Sequence, residues 1–224
     1  MKNLIKQLLV FSLAFVIVQK VISPKKVDII KDVAPHVVPW RLLVKNNERY
    51  ATGFHFKYKG KVYIMTNKHV CDGNLNVYGH KHIQFGNYIG EIIKISVDHD
   101  LCLVTSNRED GLELADKDIK PLDPVTVVGF PRGLGKTIRT GHFVEEEYIE
   151  APWINPIMYI LFQKKYRAYR VSTLAYGGNS GSPIINEKGK VVGVLFAGPV
   201  YIHTEALIVP YDDMMLFIEE TLGQ

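Results

Sequence analysis

The sequence contains little cysteine and little surplus of either charge. Its 224 residues include only two cysteines, Cys71 and Cys102, which excludes a disulfide-dense scaffold and a cysteine-rich zinc site. The 27 lysine and arginine residues exceed the 23 aspartate and glutamate residues by four, and they are scattered along the chain. We therefore expect no nucleic-acid partner. Because no His/Glu pair has metal-ligand spacing such as HExxH, we expect no metal and no cofactor.

A long apolar run stands near the N-terminus. Residues 8–18 read LLVFSLAFVIV, with Lys2 and Lys6 before the run and Lys20 after it. A basic start and a run of this length are typical of a signal peptide, but a small-x-small cleavage site is missing. Because the run with its flanks approaches the length of a membrane span, we predict that 1–26 form an uncleaved hydrophobic signal-anchor helix and that the rest is extracytoplasmic. The alternatives are a cleaved signal followed by secretion, and a buried or partner-binding helix.

After residue 30, short strand-like runs separated by turn residues dominate the sequence. The clearest runs lie at 40–44, 52–58, 62–66, 88–95, 125–130, 190–196 and 206–210. Many short strands with frequent turns indicate an all-β barrel or sandwich. The polar segment 107–121 has few strand formers and is predicted to connect two halves. Residues 211–222 show an amphipathic pattern with Asp212 and Asp213 in the first turn, which predicts a short helix.

The stretch 145–169 has an unusual composition. Three glutamates lead into the apolar segment 151–162, which two prolines interrupt. One interpretation is a pair of strands joined by a packed loop. The other is an exposed apolar loop around Trp153 that contacts a membrane or a partner.

Small residues crowd both sides of Ser180, in the segment GGNSGSP at 177–183. A serine between glycines can sit on a tight turn with its Oγ exposed, and the glycines let backbone N–H groups approach an oxyanion. This pattern predicts a nucleophile. An ordinary glycine-rich turn is the alternative, because Gly, Asn and Ser are common turn residues.

A serine nucleophile needs a base, and the base needs a carboxylate that orients it. His69 follows the apolar run 62–66, and Asp100 stands at the head of the apolar run 101–104, so both are predicted at strand ends. Either residue alone has an ordinary structural explanation. Their occurrence in the order His, Asp, Ser with the turn at Ser180 favours nucleophilic catalysis.

Together these segments resemble the trypsin-like (chymotrypsin-fold) serine proteases, and within them the HtrA/Deg-like branch. The matching motifs are GNSGSP at 178–183, TNKHV at 66–70, DLCLV at 100–104, VGFPRG at 128–133 and TGF at 52–54. The resemblance covers about residues 50–210, and its specificity lies in the joint order, context and spacing of the motifs.

The sequence departs from the pattern of trypsin itself in several places. No Ile-Val-Gly-Gly-like activation terminus precedes Trp40, and position 179 holds Asn in place of the Asp that would pair with a freed N-terminal amine. These differences argue against zymogen cleavage of the trypsin type. Ser182 is a rival nucleophile by proximity, but it stands where many relatives carry glycine. Because the sequence stops at Gln224, we expect an HtrA/Deg-like protein without a PDZ domain.

The resemblance implies an all-β fold of two six-stranded antiparallel β-barrels with the active site between them. Within a protease domain at 27–224, the first barrel would span about 36–106 and the second about 121–210. A short C-terminal helix at about 211–222 and the N-terminal hydrophobic helix would complete the chain.

The same resemblance assigns roles to the polar residues. Ser180 would be the nucleophile, His69 the general acid/base, and Asp100 the group that orients the imidazole. The backbone N–H groups of Gly178 and Ser180 would form the oxyanion hole, with Asn179 shaping the loop between them.

The primary substrate pocket is implied in the same way. Its walls would be Leu174, Ala175, Tyr176, Phe196, Ala197 and Gly198. Leu174 is expected where trypsin carries its pocket-floor aspartate, so we predict a preference for apolar or small side chains. Glu205 would favour Lys or Arg instead if it pointed into the pocket.

The two cysteines follow the predicted catalytic residues closely. Cys71 lies two residues after His69, and Cys102 lies two residues after Asp100. If His69 and Asp100 touch, the cysteines are close enough to form a disulfide in an oxidising compartment. Two buried thiols are the alternative.

The function that these features predict is a membrane-tethered serine endopeptidase. It would hydrolyse polypeptide substrates through an acyl-enzyme. The alternative is a catalytically silent trypsin-fold module used for binding or structure. The sequence gives no indication of the oligomeric state.

Overall fold

The computed structural model describes residues 30–44, 47–150, 165–197 and 204–223. These residues form two six-stranded antiparallel sheets, α-helices at 68–78 and 211–222, and a short helical segment at 30–33. The predicted helix at 1–26 and the apolar loop around Trp153 lie outside the described residues. Among the residues that are described, no helix has both the length and the apolar character needed to cross a membrane.

The first sheet contains the strands of the predicted first barrel. They are β1 (Val37–Val44), β2 (Asn47–Tyr58), β3 (Lys61–Thr66), β4 (His82–Phe85), β5 (Tyr88–Ile95) and β6 (Cys102–Thr105), in the order β1-β2-β3-β6-β5-β4. The edge strands β1 and β4 approach each other at one hydrogen bond, which the Gly86 N–H, just after β4, donates to the Pro39 carbonyl of β1 at 2.7 Å. Because Pro39 has no N–H, it cannot return a ladder bond. The six predicted strands are thus present, but no regular β1–β4 ladder closes this sheet.

The second sheet is a closed barrel, as predicted. Its strands are β7 (Pro124–Gly129), β8 (Thr137–Glu150), β9 (Lys165–Val171), β10 (Pro183–Ile185), β11 (Val191–Ala197) and β12 (Ala206–Val209), in the order β10-β11-β12-β9-β8-β7. The side chains of Val125, Val127, Val192 and Ile208 fill its interior. On β7, Val125 and Val127 are two positions apart and so lie on the same face of the strand, which is the period-two pattern that the sequence shows.

The segment between the sheets crosses from one to the other. Leu112 pairs with Phe56 of β2, and Leu114 pairs with Val191 of β11. Residues of both sheets share one buried cluster with the C-terminal helix α2 (Tyr211–Leu222), whose Phe217 packs into it. The predicted connection and the predicted C-terminal helix are therefore both present. Together they fix the two sheets against each other.

Helix α1 (Lys68–Tyr78) follows β3 directly, where the sequence predicted no helix. Only Val70, Cys71 and Asn74 of this helix are buried, so its apolar pattern is too short to give a clear helical period. The helix ends at Gly79, which adopts the left-handed conformation (φ 71°) and donates its N–H to the Leu75 carbonyl. The prediction that His69 lies at a strand end is therefore wrong in detail, because His69 lies in the first turn of α1.

Candidate active site

His69 and Asp100 are hydrogen-bonded to each other through two contacts. The His69 Nδ1 lies 2.7 Å from Asp100 Oδ2, and the His69 backbone N–H donates to Asp100 Oδ1 at 3.0 Å. The Asp100 side chain is 9% exposed, whereas the imidazole is 41% exposed. The carboxylate thus fixes both the position and the tautomer of the ring, and leaves Nε2 as the proton acceptor.

The charge of Asp100 also changes the basicity of the imidazole. Burial favours the neutral ring and lowers the pKa of His69, but the charge and the hydrogen bond of Asp100 raise it, and Asp72 adds to the same effect. The effects of the two carboxylates outweigh that of burial, so the pKa of His69 is raised above its ordinary value of 6.5. A raised pKa makes the neutral imidazole a stronger base once it is deprotonated.

Two further contacts hold the segment of Asp100 against helix α1. The Asn67 side-chain amide donates to the Asp100 backbone carbonyl at 2.8 Å. Cys71 and Cys102 form a disulfide, which resolves the alternatives that the sequence left open. Each half-cystine lies two residues beyond a member of the His69–Asp100 pair.

Ser180 lies on the loop before β10 and lines the same cleft as His69. This cleft has a volume of about 440 Å³. The Ser180 Oγ donates to the Phe196 carbonyl at 3.5 Å. Ser182 is fully buried, and its Oγ has no hydrogen-bond partner among the described residues. The rival serine is therefore buried and does not line the cleft.

In the loop of Ser180, the N–H groups of Gly178 and Ser180 have no acceptor in the part of the chain that the structure describes. The Arg132 N–H donates to the Gly177 carbonyl at 2.6 Å. Because a trans peptide directs its C=O and N–H to opposite sides, this bond turns the Gly178 N–H away from Arg132. The Asn179 N–H donates to the Tyr176 carbonyl at 3.0 Å, so Asn179 shapes the loop rather than supplying a donor.

Thr52 holds the loop from the opposite side, and sequence reasoning missed this role. Its backbone N–H donates to the Ser180 carbonyl at 2.8 Å, and its Oγ1 donates to the Gly178 carbonyl at 2.8 Å. The same Oγ1 accepts the Phe130 N–H at 3.1 Å. Thr52 is fully buried in β2. The only signal in the sequence was that Thr52 belongs to the TGF motif. That motif indicates a strand but does not predict which groups the threonine contacts.

Glycine is required at Gly181, where the loop turns into β10. Its φ is +83°, in the left-handed region that glycine tolerates, and a Cβ there would collide with the Thr52 carbonyl. This close approach explains one of the small residues that flank Ser180 in the sequence.

The residues predicted to form the primary pocket have different environments. Ala175 is 4% exposed and packs in the interior of the second barrel. Leu174 and Tyr176 are half-buried, and Phe196 is 7% exposed. The Ala197 side chain and all of Gly198 lie outside the described residues. Glu205 is paired with Arg170 of β9 at 3.5 Å, which gives its carboxylate a partner outside the predicted pocket.

Across the four described ranges, no three His, Cys, Asp or Glu side chains converge in a way that could hold a metal ion. The arrangement has the components of nucleophilic acyl transfer. A hydroxyl and an oriented imidazole line one cleft, and the N–H groups of Gly178 and Ser180 in the loop of the hydroxyl have no acceptor among the described residues.

These features define a chymotrypsin-like protein, and comparison with known proteins identifies its family. Residues 51–194 match the family described as "Trypsin-like peptidase domain". The putative protease Do-like 12, mitochondrial, of Arabidopsis thaliana is 33% identical over 168 residues, which cover 71% of this chain and 31% of the relative. The probable periplasmic serine endoprotease DegP-like of Marinomonas sp. (strain MWYL1) is 27% identical over 149 residues, which cover 64% of this chain and 28% of the relative.

Among solved structures, the active form of the Rv3671c protease from M. tuberculosis superimposes with a TM-score of 0.68. Its sequence identity is 20%, over 87% of this chain and 84% of that chain, so the likeness concerns the fold. The chain belongs to the trypsin-like peptidase family, and its similarity to the Do-like and DegP-like proteases confirms the predicted HtrA/Deg-type resemblance. It spans less than a third of the length of the two curated relatives.

Proposed function

We propose that this chain is a serine endopeptidase that hydrolyses polypeptides through an acyl-enzyme on Ser180. The observation that carries the proposal is the 2.7 Å pairing of His69 with Asp100 beside a cleft that Ser180 also lines. Family membership supports it independently. The chemistry follows from the functional groups on this cleft.

In the proposed reaction, Ser180 Oγ attacks the scissile carbonyl carbon while His69 Nε2 takes the hydroxyl proton. The N–H groups of Gly178 and Ser180 stabilise the oxyanion, an effect of roughly 3–4 kcal/mol for each donor. The C–N bond then breaks, and His69 gives its proton to the leaving nitrogen. A water molecule, deprotonated by His69, attacks the resulting ester and releases the acid. Asp100 stays ionised and orients the imidazole throughout.

The proposed primary specificity is for an apolar or small side chain on the acyl side. Tyr176 is half-buried, the Phe196 carbonyl lies 3.5 Å from Ser180 Oγ, and no residue of 174–176 is acidic. The pairing of Glu205 with Arg170 at 3.5 Å supports this choice over Lys or Arg.

The proposed location is membrane-anchored and extracytoplasmic, through the hydrophobic segment 1–26. The disulfide supports an oxidising compartment, because cytosolic thiols are normally kept reduced. Two relatives carry the words mitochondrial and periplasmic in their names, which agrees with a location outside the cytosol.

Hydrolysis of an internally quenched peptide library by the full chain tests the activity. We expect cleavage by the wild type and by Ser182→Ala, whose altered hydroxyl is buried away from the cleft. Ser180→Ala should lower the rate by on the order of 10⁶-fold, because removing the nucleophile removes the acyl-enzyme pathway. A folded wild type that cleaves no peptide would instead indicate the catalytically silent module.

The role of Thr52 in holding the loop gives a second test. Thr52→Val should lower kcat/KM by roughly 10- to 100-fold, because it leaves the Gly178 carbonyl and the Phe130 N–H without their hydroxyl partner and displaces an oxyanion donor. Thr52→Ser keeps the hydroxyl and should retain most of the activity. Equal activity of the Val and Ser variants would show that the hydroxyl does not position the loop.

A further inference from the structure

The cleft beside Ser180 is lined by none of the predicted primary-pocket residues whose side chains the structure describes. Its lining residues include Trp40, Arg49, Tyr50, His69, Arg132 and Ser180. The residues at 174–176 and Phe196 are absent from this lining. The cleft therefore meets the nucleophile from a different side than the predicted acyl pocket.

The position of His69 indicates which part of a substrate this side receives. In acyl transfer the base returns its proton to the leaving nitrogen, so the leaving segment must pass next to the imidazole. His69, Val70 and Gly73 of helix α1 form one wall of the cleft. The cleft thus lies where the leaving segment of a cleaved peptide would run.

The charges around this cleft are unequal. Arg49 and Arg132 both line it, and Glu48 is the one carboxylate among its lining residues. The Glu48 carboxylate is already bound by Arg41 of the neighbouring strand. Within the described residues, Arg49 has no ion-pair partner, and the Arg132 guanidinium lies over the Tyr176 ring at 5.1 Å. Neither guanidinium is thus paired with a carboxylate among the residues that the structure describes.

Both arginines line this cleft, and the residues that follow them along the chain are in contact. Tyr50 follows Arg49, and Gly133 follows Arg132. The Tyr50 ring packs so tightly on Gly133 (φ +67°) that any Cβ at Gly133 would collide with it. Arg132 itself has φ +56°, a conformation that costs a non-glycine residue energy and is concentrated at functional sites.

We propose that this cleft binds the leaving-side segment of the substrate and that Arg49 and Arg132 select a carboxylate there. The carboxylate comes either from an acidic side chain or from the C-terminus of a short leaving segment. The inference rests on the proposed peptidase function and adds its leaving-side specificity. Arginine suits the role because its planar fork pairs with both carboxylate oxygens.

Three quenched peptides that share one acyl-side sequence test the inference. The first peptide carries Asp at the second leaving-side residue and has an amidated end. The second is identical but carries Asn at that residue. The third also carries Asn, but it ends at that residue in a free carboxylate. We expect kcat/KM to be roughly tenfold higher for the Asp peptide than for the amidated Asn peptide, and this ratio should shrink at high salt. If the free-acid peptide reacts faster than the amidated Asn peptide and the Asp peptide does not, the selected carboxylate is the C-terminus of the leaving segment.

The matched variants are Arg49→Gln, Arg132→Gln and Arg139→Gln. The first two should reduce the Asp/Asn ratio, and the double variant should bring it to about one. The exposed Arg139 lies outside the lining of the cleft, so its variant should keep the wild-type ratio. The Arg49 backbone pairs with Leu42 of β1, whereas the Arg132 N–H is hydrogen-bonded to the nucleophile loop, so the Arg49 variant remains informative even if Arg132→Gln misfolds.

Charge reversal separates a true contact from a change in folding. Arg49→Glu should invert the selectivity, so that a peptide with Lys at the second leaving-side residue is cleaved faster than its Gln counterpart. If the wild type cleaves the Asp, amidated Asn and free-acid peptides at equal rates, the inference is wrong while the proposed function stands. If the wild type cleaves no peptide and does not react with a fluorophosphonate, the proposed function itself fails.

Discussion

Asp100→Asn is expected to lower kcat/KM by on the order of 10⁴-fold while the protein remains folded. The wild-type carboxylate accepts from both the Nδ1 and the backbone N–H of His69, at 2.7 and 3.0 Å. An asparagine side chain has one acceptor oxygen and therefore cannot accept both hydrogen bonds in the same way. If its amide N–H donates to Nδ1, the imidazole proton is on Nε2, the nitrogen that must accept the proton of Ser180. Steady-state kinetics on one good peptide substrate, with circular dichroism as a check on folding, measures the effect.

The same variant should change the pH dependence of the residual activity. The base acts when it is deprotonated, so activity falls as the pH drops below the His69 pKa. In the wild type Asp100 raises that pKa above 6.5, and the Asn variant loses this charge. The acidic limb of the pH profile should therefore move to lower pH in Asp100→Asn. A loss of activity under tenfold, with no movement of this limb, would contradict the assigned role of Asp100.

Removal of the Cys71–Cys102 disulfide is expected to lower the free energy of unfolding by about 3–4 kcal/mol. The two residues are separated by 31 positions, and the lost cross-link restores chain entropy to the unfolded state. Both side chains are fully buried, so Cys71→Ala with Cys102→Ala avoids placing a hydroxyl in the core. Urea unfolding with and without dithiothreitol measures the change.

The reductant serves as the control for this prediction. Dithiothreitol should shift the urea midpoint of the wild type and leave that of the double-alanine variant unchanged. Activity should fall together with stability, because the bridge holds the helix of His69 against the segment of Asp100. An equal midpoint for the oxidised wild type and the double variant would show that the bond does not stabilise this fold.

The strand pattern was readable from the sequence because most strands alternate or form short buried runs. Strand β7 shows this well, with Val125 and Val127 directed into the barrel. Helix α1 was missed because only Val70, Cys71 and Asn74 are buried, and three positions do not establish a helical period. The first sheet was predicted as a barrel, and Pro39 explains why its edges meet without a regular ladder.

The candidate site was predictable where it depends on side-chain chemistry. His69, Asp100 and Ser180 stood out by residue type and order. The contributions of Thr52 and Arg132 depend on which backbone groups they contact across the fold, at 2.8 and 2.6 Å, and residue type alone does not reveal such contacts. The disulfide was intermediate, because the spacing predicted that the cysteines are close but not whether they are bonded.

The central claim is that Ser180 is the nucleophile, and a fluorophosphonate tests it most directly. Such a reagent phosphonylates an activated serine hydroxyl, and peptide mapping by mass spectrometry locates the adduct. We predict one adduct per chain, on Ser180, formed by the wild type and abolished in Ser180→Ala. A folded wild type that forms no adduct, or one that carries it on Ser182 or another residue, would contradict the account.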